Sequence, residues 1–462
     1  MPSFVFYITG RPLRPRPLLL ALTIPILVGA AAFASETRTG RASAPNATTK
    51  PCSHGAVPAR IAGKHVCLKA GQRCKRRLER QYRRYRFHCD ATGRLRRLKP
   101  PPPRSVSMKV VGAPQVVFDW TTDRCTEPDI PDLPARAFRD ADGRVQLISA
   151  DDTNRRFVGA DLDHLMHSCT VILGSDLNPD PAAFDDHEWI AAPYTLDGKT
   201  VYALVHDEYH GWERPGQCAT VTYDVRCWYN AVTLAVSTDG GATYVDVPPR
   251  RLVASVPYRY VPGDGPTGIF SPSNIVHNER DGFYYALVYV NVRESYVGNC
   301  LIRTKDLGDP GSWRAWSGGS SFTMTFVDPY TSNQAPAAHL CAPVSRQQPG
   351  DLQPNSLTYS TEARQWLLVG QAVGGAYFSL SPDLLHWTPP KLFFAAQITW
   401  NYQCGDPDPI AYPSVIDSKS TSRNFQTVGK TAYLYFTQFH YTDCQQTLDR
   451  DLVRVPIQIS PR

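Results

Sequence analysis

From about residue 130 onward the hydrophobic pattern repeats one unit. It is an apolar stretch, a tight turn, a second stretch rich in aromatic residues, and a turn built on aspartate and followed by an aromatic. The first copy covers 133–138, the turn Asp142-Gly143, 145–149 and 157–162. The second covers 189–194, Asp197-Gly198 and 200–206, and its later strands are joined by Ser237-Thr238-Asp239-Gly240-Gly241-Ala242-Thr243-Tyr244. The third has 274–277, Asp281-Gly282 and 283–290, with Asp306 and Trp313 behind them; the fourth has 356–359, 365–370, Asp383 and Trp387. The last and least regular has 410–416, 431–439 and 452–459. Apolar–polar alternation is the period of a pleated strand, and Asp-Gly closes a two-residue hairpin because both residues accept positive φ. No long stretch carries the 3.6-residue period of a helix. The expected fold class is therefore all-β, a five-bladed β-propeller over 128–462. A pair of β-sandwiches is the rival, and it explains the recurring order less well.

The first 34 residues read differently. Arg11, Arg14 and Arg16 precede an apolar run over 18–33, and Ala32-Phe33-Ala34 supplies a small-x-small cleavage pattern. This is the form of a signal peptide over 1–34, followed by a linker over 35–51. An uncleaved anchor is the alternative, but the run is shorter than the roughly 20 residues a span needs, and Pro25 interrupts it. A secreted or cell-surface address follows, with no stable membrane insertion after cleavage. Twelve cysteines, with no Cys-x-x-Cys among them, agree with an oxidising compartment. Neighbourhood suggests the pairs Cys125–Cys169, Cys218–Cys227, Cys300–Cys341 and Cys404–Cys444, although spacing alone does not fix connectivity.

Charge separates the chain further. Residues 52–104 hold 16 Lys+Arg against 2 Asp+Glu, whereas residues 105–462 hold 27 against 39. An overall +7 thus conceals a basic head on an acidic body. The head, 52–98, is a Cys-rich module with Cys52, Cys67, Cys74 and Cys89, small enough to require disulfide staples. It is similar to small Cys-rich modules at the start of exported actinobacterial proteins. Its Arg73, Lys75, Arg76, Arg77, Arg83, Arg84, Arg86, Arg94, Arg96 and Arg97 call for a polyanion, and outside a cell an anionic polymer is favoured over nucleic acid. A solvated charged face, or a dock for the acidic body, is the plainer reading. Residues 99–127 form a Pro-rich linker and lead-in.

Propellers bind ligands where the innermost strand of each blade begins, which singles out Asp132, the run Asp185-Asp186-His187-Glu188-Trp189, Ser273-Asn274, Asn355 and Tyr412. This arrangement resembles the arabinanase and β-xylosidase type of glycoside hydrolase, and the turn at Asp239 resembles the Asp-box of sialidase-type propellers. The resemblance implies a structural role for Asp239, Asp306 and Asp383. It implies a general base at Asp132, with Glu188 in the place of a pKa-tuning carboxylate. The acid that the family carries on blade three is absent, since this chain has Ser273-Asn274 there, so Glu188 or Glu208 must supply it. A sialidase-type arginine cluster around Arg136, Arg139, Arg155 and Arg156 is a lesser reading. Catalytic candidates are thus Asp132, Glu188 and Glu208; candidate substrate contacts are His187, Trp189, His206, His210, Asn274 and Asn355. No cofactor and no metal are expected, because His206 and His210 lie about 13 Å apart on a straight strand. A monomer acting on polysaccharide is the favoured reading, and a non-catalytic glycan-binding protein the alternative.

Overall fold

The computed structural model describes residues 52, 56–98, 102–149, 151–247, 251–292, 296–346 and 352–462. The expected signal peptide and the linker after it lie outside the described residues, as does part of the proline spacer. The chain divides into two compact units, one ending at Pro102 and the other running over Pro103–Arg462. Among the described residues no helix is long and apolar enough to cross a membrane.

The smaller unit is a hairpin of β1 (Val57–Ile61) and β2 (Lys64–Leu68), a short helix α1 (Glu79–Arg84), and a second hairpin of β3 (Phe87–Cys89) and β4 (Leu95–Arg97). Six buried side chains, Ala59, Ile61, Leu68, Tyr82, Phe87 and Leu95, make its core. So small a core leaves much of the stability to the disulfides Cys52–Cys67 and Cys74–Cys89. Each closes a loop of a size worth about 3 kcal/mol in the chain-entropy model. Its two carboxylates, Glu79 and Asp90, pair with Arg83 and Arg96. Arg73, Lys75, Arg76, Arg77, Arg80 and Arg84 are exposed.

The larger unit is a series of antiparallel meanders. It opens with β5 (Val106–Val110), β6 (Gln115–Phe118) and the single turn α2 (Trp120–Asp123). Strands β7 (Arg136–Arg139), β8 (Val145–Ile148), β9 (Arg156–Gly159) and β10 (Leu165–Ser168) then pair in sequence order. Next come β11 (His187–Thr195), β12 (Val201–His210) and β13 (Trp228–Ser237), edged by β14 (Val245–Asp246) and β15 (Leu252–Ala254). The connector β16 (Thr267–Phe270) leads to β17 (Val276–Asn278), β18 (Phe283–Val292), β19 (Tyr296–Thr304) and β20 (Arg314–Ala315), with β21 (Ser345–Arg346) on the far edge. A further meander is β22 (Gln353–Ser360), β23 (Gln365–Ala372), β24 (Gly375–Ser381) and β25 (Lys391–Ala395). Strand β26 (Ile410–Ile416) and the short β27 (Thr427–Val428) precede β28 (Thr431–Thr442) and β29 (Gln445–Pro461).

The last meander is completed from the other end of the unit. Strand β29 pairs with β28 on one side and with β5 and β6 on the other. These two strands fall within the stretch read from sequence as linker and lead-in.

The turns form for the local reasons the sequence suggests. Gly143, Gly198 and Gly282 take φ of +84°, +83° and +75° in their Asp-Gly hairpins. Asp239 closes its own turn, its carboxylate accepting from the amides of Ala242 (2.9 Å) and Thr243 (3.0 Å). Tyr244 then buries against Phe138 and Ile148 of the preceding meander. Asp383 does the same with the amides of Leu385 (3.0 Å) and His386 (2.9 Å). The disulfides of the larger unit are Cys125–Cys169, Cys218–Cys227, Cys300–Cys341 and Cys404–Cys444.

One side chain ties the meanders together. Arg136 on β7 is 3% exposed, and its guanidinium donates to the carbonyls of Ala191 (2.9 Å), Pro272 (3.2 Å) and Asn355 (2.5 Å) and to Ser414 Oγ (3.4 Å). Each partner comes from a different meander. A planar fork with five N–H groups suits such a convergence of carbonyls, which a lysine could not serve. Burial lowers its pKa to about 9.

Candidate functional site

Strands β11 and β12 form the floor of the candidate site, and their register decides which side chains meet. His187 lies opposite Glu208 and Trp189 opposite His206. With His210 two residues beyond Glu208, these five side chains share one face. Glu188 lies opposite Asp207 on the reverse face.

On the first face the polar groups are extensively linked. Glu208 accepts from His210 Nε2 (2.9 Å) and stands 3.5 Å from His206 Nδ1. His206 Nε2 contacts Asn230 Oδ1 at 3.0 Å. His210 stacks between His187 (centroids 4.0 Å) and Trp212 (4.3 Å). His187 Nδ1 contacts Asp152 at 2.8 Å, and its Nε2 contacts Glu213 at 3.2 Å. Burial acts to raise the pKa of Glu208. The hydrogen bond from His210 and the charges of His206 and His210 outweigh it and hold the carboxyl below its ordinary range.

Asp132, in the segment before β7, lies within electrostatic reach of Glu208. Its carboxylate accepts from Arg450 on β29 and from Tyr412 Oη (3.3 Å) on β26. Tyr412 is presented by a bulge in β26 and has φ of +60°, a backbone strain of about 1–3 kcal/mol of the kind found at functional sites. Its amide is fixed by Gln371 Oε1 at 2.8 Å. Burial raises the pKa of Asp132, Arg450 opposes the rise, and the charge of Glu208 adds to it. Tyr223, packed edge-on against Trp212 at 5.0 Å, has its phenol raised by burial and then by both Glu208 and Asp132. Two carboxylates about 75 positions apart in sequence therefore lie within electrostatic reach under aromatic side chains, and their pKa values are pushed in opposite directions.

Three sequence candidates fall elsewhere. Glu188 is fully buried on the reverse face with Asp185, Asp207, Asp246 and Arg251, and neither of its oxygens accepts a hydrogen bond. Arg251 bonds Asp185 at 2.9 Å, pairs with Asp246 and stands 3.6 Å from Glu188. Burial, then Asp246 and Asp207, lift Glu188 to about 9. Strand alternation is the reason, since consecutive residues such as His187 and Glu188 face opposite ways. Asn274 spends its amide on Leu357, donating to the carbonyl (2.6 Å) and accepting from the N–H (2.7 Å). Asn355 is buried; its backbone carbonyl accepts from Arg136, and its side-chain Oδ1 has no hydrogen-bond partner. Arg450, Asp152 and Glu213 carry no signal in the sequence that sets them apart from other surface charges. Tyr412 had one, its place ahead of an inner strand.

A cavity of about 400 Å³ lies apart from these residues, lined by Thr361, Asp417, Lys419, Thr427 and Lys430. Its carboxylate, Asp417, already accepts from the amides of Lys419 (2.7 Å) and Gly429 (2.8 Å).

No family model matches the sequence, and no curated protein matches it. Among solved structures the chain is similar to glycoside hydrolases. RS223-β-xylosidase is 11% identical over 75% of this chain and 98% of its own, with a TM-score of 0.42. A thermostable family-43 glycoside hydrolase is 10% identical over 72% and 93%, at 0.40. A xylan β-1,4-xylosidase from Bacillus halodurans C-125 is 12% identical over 72% of this chain, which spans 54% of that protein, at 0.39.

Proposed function

We propose that the chain is a secreted carbohydrate-active protein, a glycoside hydrolase whose larger unit is a five-bladed β-propeller closed by β5 and β6 on β29. The convergence of Arg136 on four other meanders supports the ring. The observation that carries the chemistry is that Asp132 lies within electrostatic reach of Glu208 and that their surroundings push the two carboxyls in opposite directions. Glycoside hydrolysis needs one carboxyl that keeps its proton and one that does not, and environments that drive two pKa values apart supply them. Asp132 is the proton donor and Glu208 the anionic partner, the reverse of the roles expected from sequence. The cause is that burial outweighs Arg450 at Asp132, while histidines surround Glu208. Tyr223 and Tyr412, less buried than Trp189 and Trp212, supply aromatic surface for sugar rings. The basic Cys-rich module tethers the protein to an anionic extracellular polymer, and extracellular polysaccharide is the substrate class.

Aryl-glycosides and plant or cell-wall polysaccharides assayed with wild type, Asp132→Asn and Glu208→Gln test this. Full turnover in both variants removes the assignment. The engagement of Asn274 and Ser273 in backbone contacts, where the resembled family carries its acid, favours a second reading as a non-catalytic glycan-binding propeller. Saturable glycan binding with no turnover in the wild type would select it.

A further inference from the structure

His187 opens β11 and His210 ends β12, and the antiparallel register brings their rings face to face. Glu213, on the 3-10 turn Gly211–Glu213 directly after β12, reaches both. One of its oxygens is 3.2 Å from His187 Nε2 and the other is 3.2 Å from His210 Nδ1. The other nitrogen of each ring already has a carboxylate: Asp152 on His187 Nδ1 at 2.8 Å, and Glu208 on His210 Nε2 at 2.9 Å.

Two ring nitrogens and a carboxylate thus face one another, while the opposite nitrogen of each ring is held by Asp152 or Glu208. A single cation among the three groups would satisfy every one of these contacts with one proton on the far nitrogen of each ring. A carboxylate holding the far N–H of a ligand histidine is also the usual support of a metal-binding imidazole.

We propose that His187 Nε2, His210 Nδ1 and the Glu213 carboxylate bind one divalent transition metal ion of the zinc class, with Asp152 and Glu208 orienting the two rings. One atom from each of the three residues lies within 4.8 Å of the others, against about 3.4 Å around a tetrahedral zinc, so a small closure completes the set. Glu213 is 42% exposed and leaves an entry path. Two histidines and one carboxylate leave a fourth position for water or a ligand. Asp186 Oδ1 stands 3.8 Å from His187 Nε2, but it is paired with Arg214. The proposal does not depend on the glycoside hydrolase reading.

The full chain, made without a polyhistidine tag and stripped with a chelator, is titrated with zinc by calorimetry and with cobalt(II) by visible absorption. One zinc per chain is expected, with a cobalt spectrum that disappears in His210→Gln. Glu213→Gln and Asp152→Asn should each weaken zinc binding by about 10- to 100-fold. The metal-free unfolding midpoint of each variant shows whether it folds, and the cobalt spectrum of wild type decides if one does not. Absence of saturable zinc binding below a millimolar overturns the proposal. So does stoichiometric binding with unchanged affinity in both folded variants, which would direct attention to the cluster of His440, Asp449 and Asp451.

Discussion

The two faces of the β11–β12 ribbon contain nearly the same kinds of side chain in opposite states. On one face Glu208 is flanked by histidines, keeps some exposure and is held ionised. On the other, Glu188 and Asp207 are fully buried, share Arg251 with Asp185 and Asp246, and have raised pKa values. Asp207 and Glu208 are adjacent in sequence, so the difference owes nothing to their neighbourhood along the chain. It comes from the pleat, which sends one carboxylate toward cations and solvent and the next into a site with too few cations.

Neutralising one carboxylate on each face separates the two environments most clearly. Glu208→Gln should lower glycoside turnover by about 100- to 10,000-fold, the range for losing an acid–base group, with little change in melting. Glu188→Gln, which resembles the protonated acid already present, should leave turnover and fold intact. Equal losses in the two variants would erase the distinction between the faces.

Removing the cation of the buried face comes next. Arg251→Ala leaves Asp185 and Asp246 without their shared, half-buried partner, and an unsatisfied group of this kind costs about 1–3 kcal/mol. Chemical denaturation should show that loss, and it should shrink when Asp246→Asn is added, because the orphaned charge is then gone. An Arg251→Ala protein as stable as wild type would mean that the reverse face does not hold charge.

Smaller still is a pH effect. Folded Asp207 keeps its proton to higher pH than it does in the unfolded chain, because burial and then Asp185 disfavour its anion. The folded state therefore binds more protons from about pH 4 upward, through the window below the raised value, and stability falls as pH rises. Asp207→Asn should flatten that part of the stability curve. An unchanged slope would show that Asp207 is ionised in the fold.

Much of this architecture is legible in the sequence because it is local. Asp-Gly turns, period-two alternation and aspartates that cap their own turns each need only a few neighbouring residues. The pairing of β29 with β5 and β6 joins residues more than 330 positions apart, and no local pattern marks it. The site divides in the same way. Alternation alone places His206, Glu208 and His210 on one face, and the same rule separates His187 from Glu188, neighbours in one polar run of the sequence. What no residue pattern reveals is which strand supplies the second ring beside His210, or that Arg450 and Tyr412 converge on Asp132. Those facts come from register and from a bulge.

The bulge in β26 also sets the hydroxyl that meets Asp132. Among the described residues Tyr412 is the one hydroxyl that bonds Asp132, at 3.3 Å, and its left-handed backbone is held at the amide by Gln371 Oε1. If Asp132 is the proton donor, the phenol helps to orient a carboxyl whose pKa burial has raised, and the hydrogen bond is worth about 0.5–1.5 kcal/mol. Tyr412→Phe keeps the ring, the strain and the packing on Phe439 while deleting that bond. Turnover should fall by roughly 2- to 12-fold, the same energy expressed as a rate. The alkaline limb of the pH–rate profile should shift, since the donor loses a partner that favours its anion. A change in substrate affinity alone, with that limb unmoved, would assign Tyr412 to sugar stacking and leave Asp132 to be governed by Arg450 and burial.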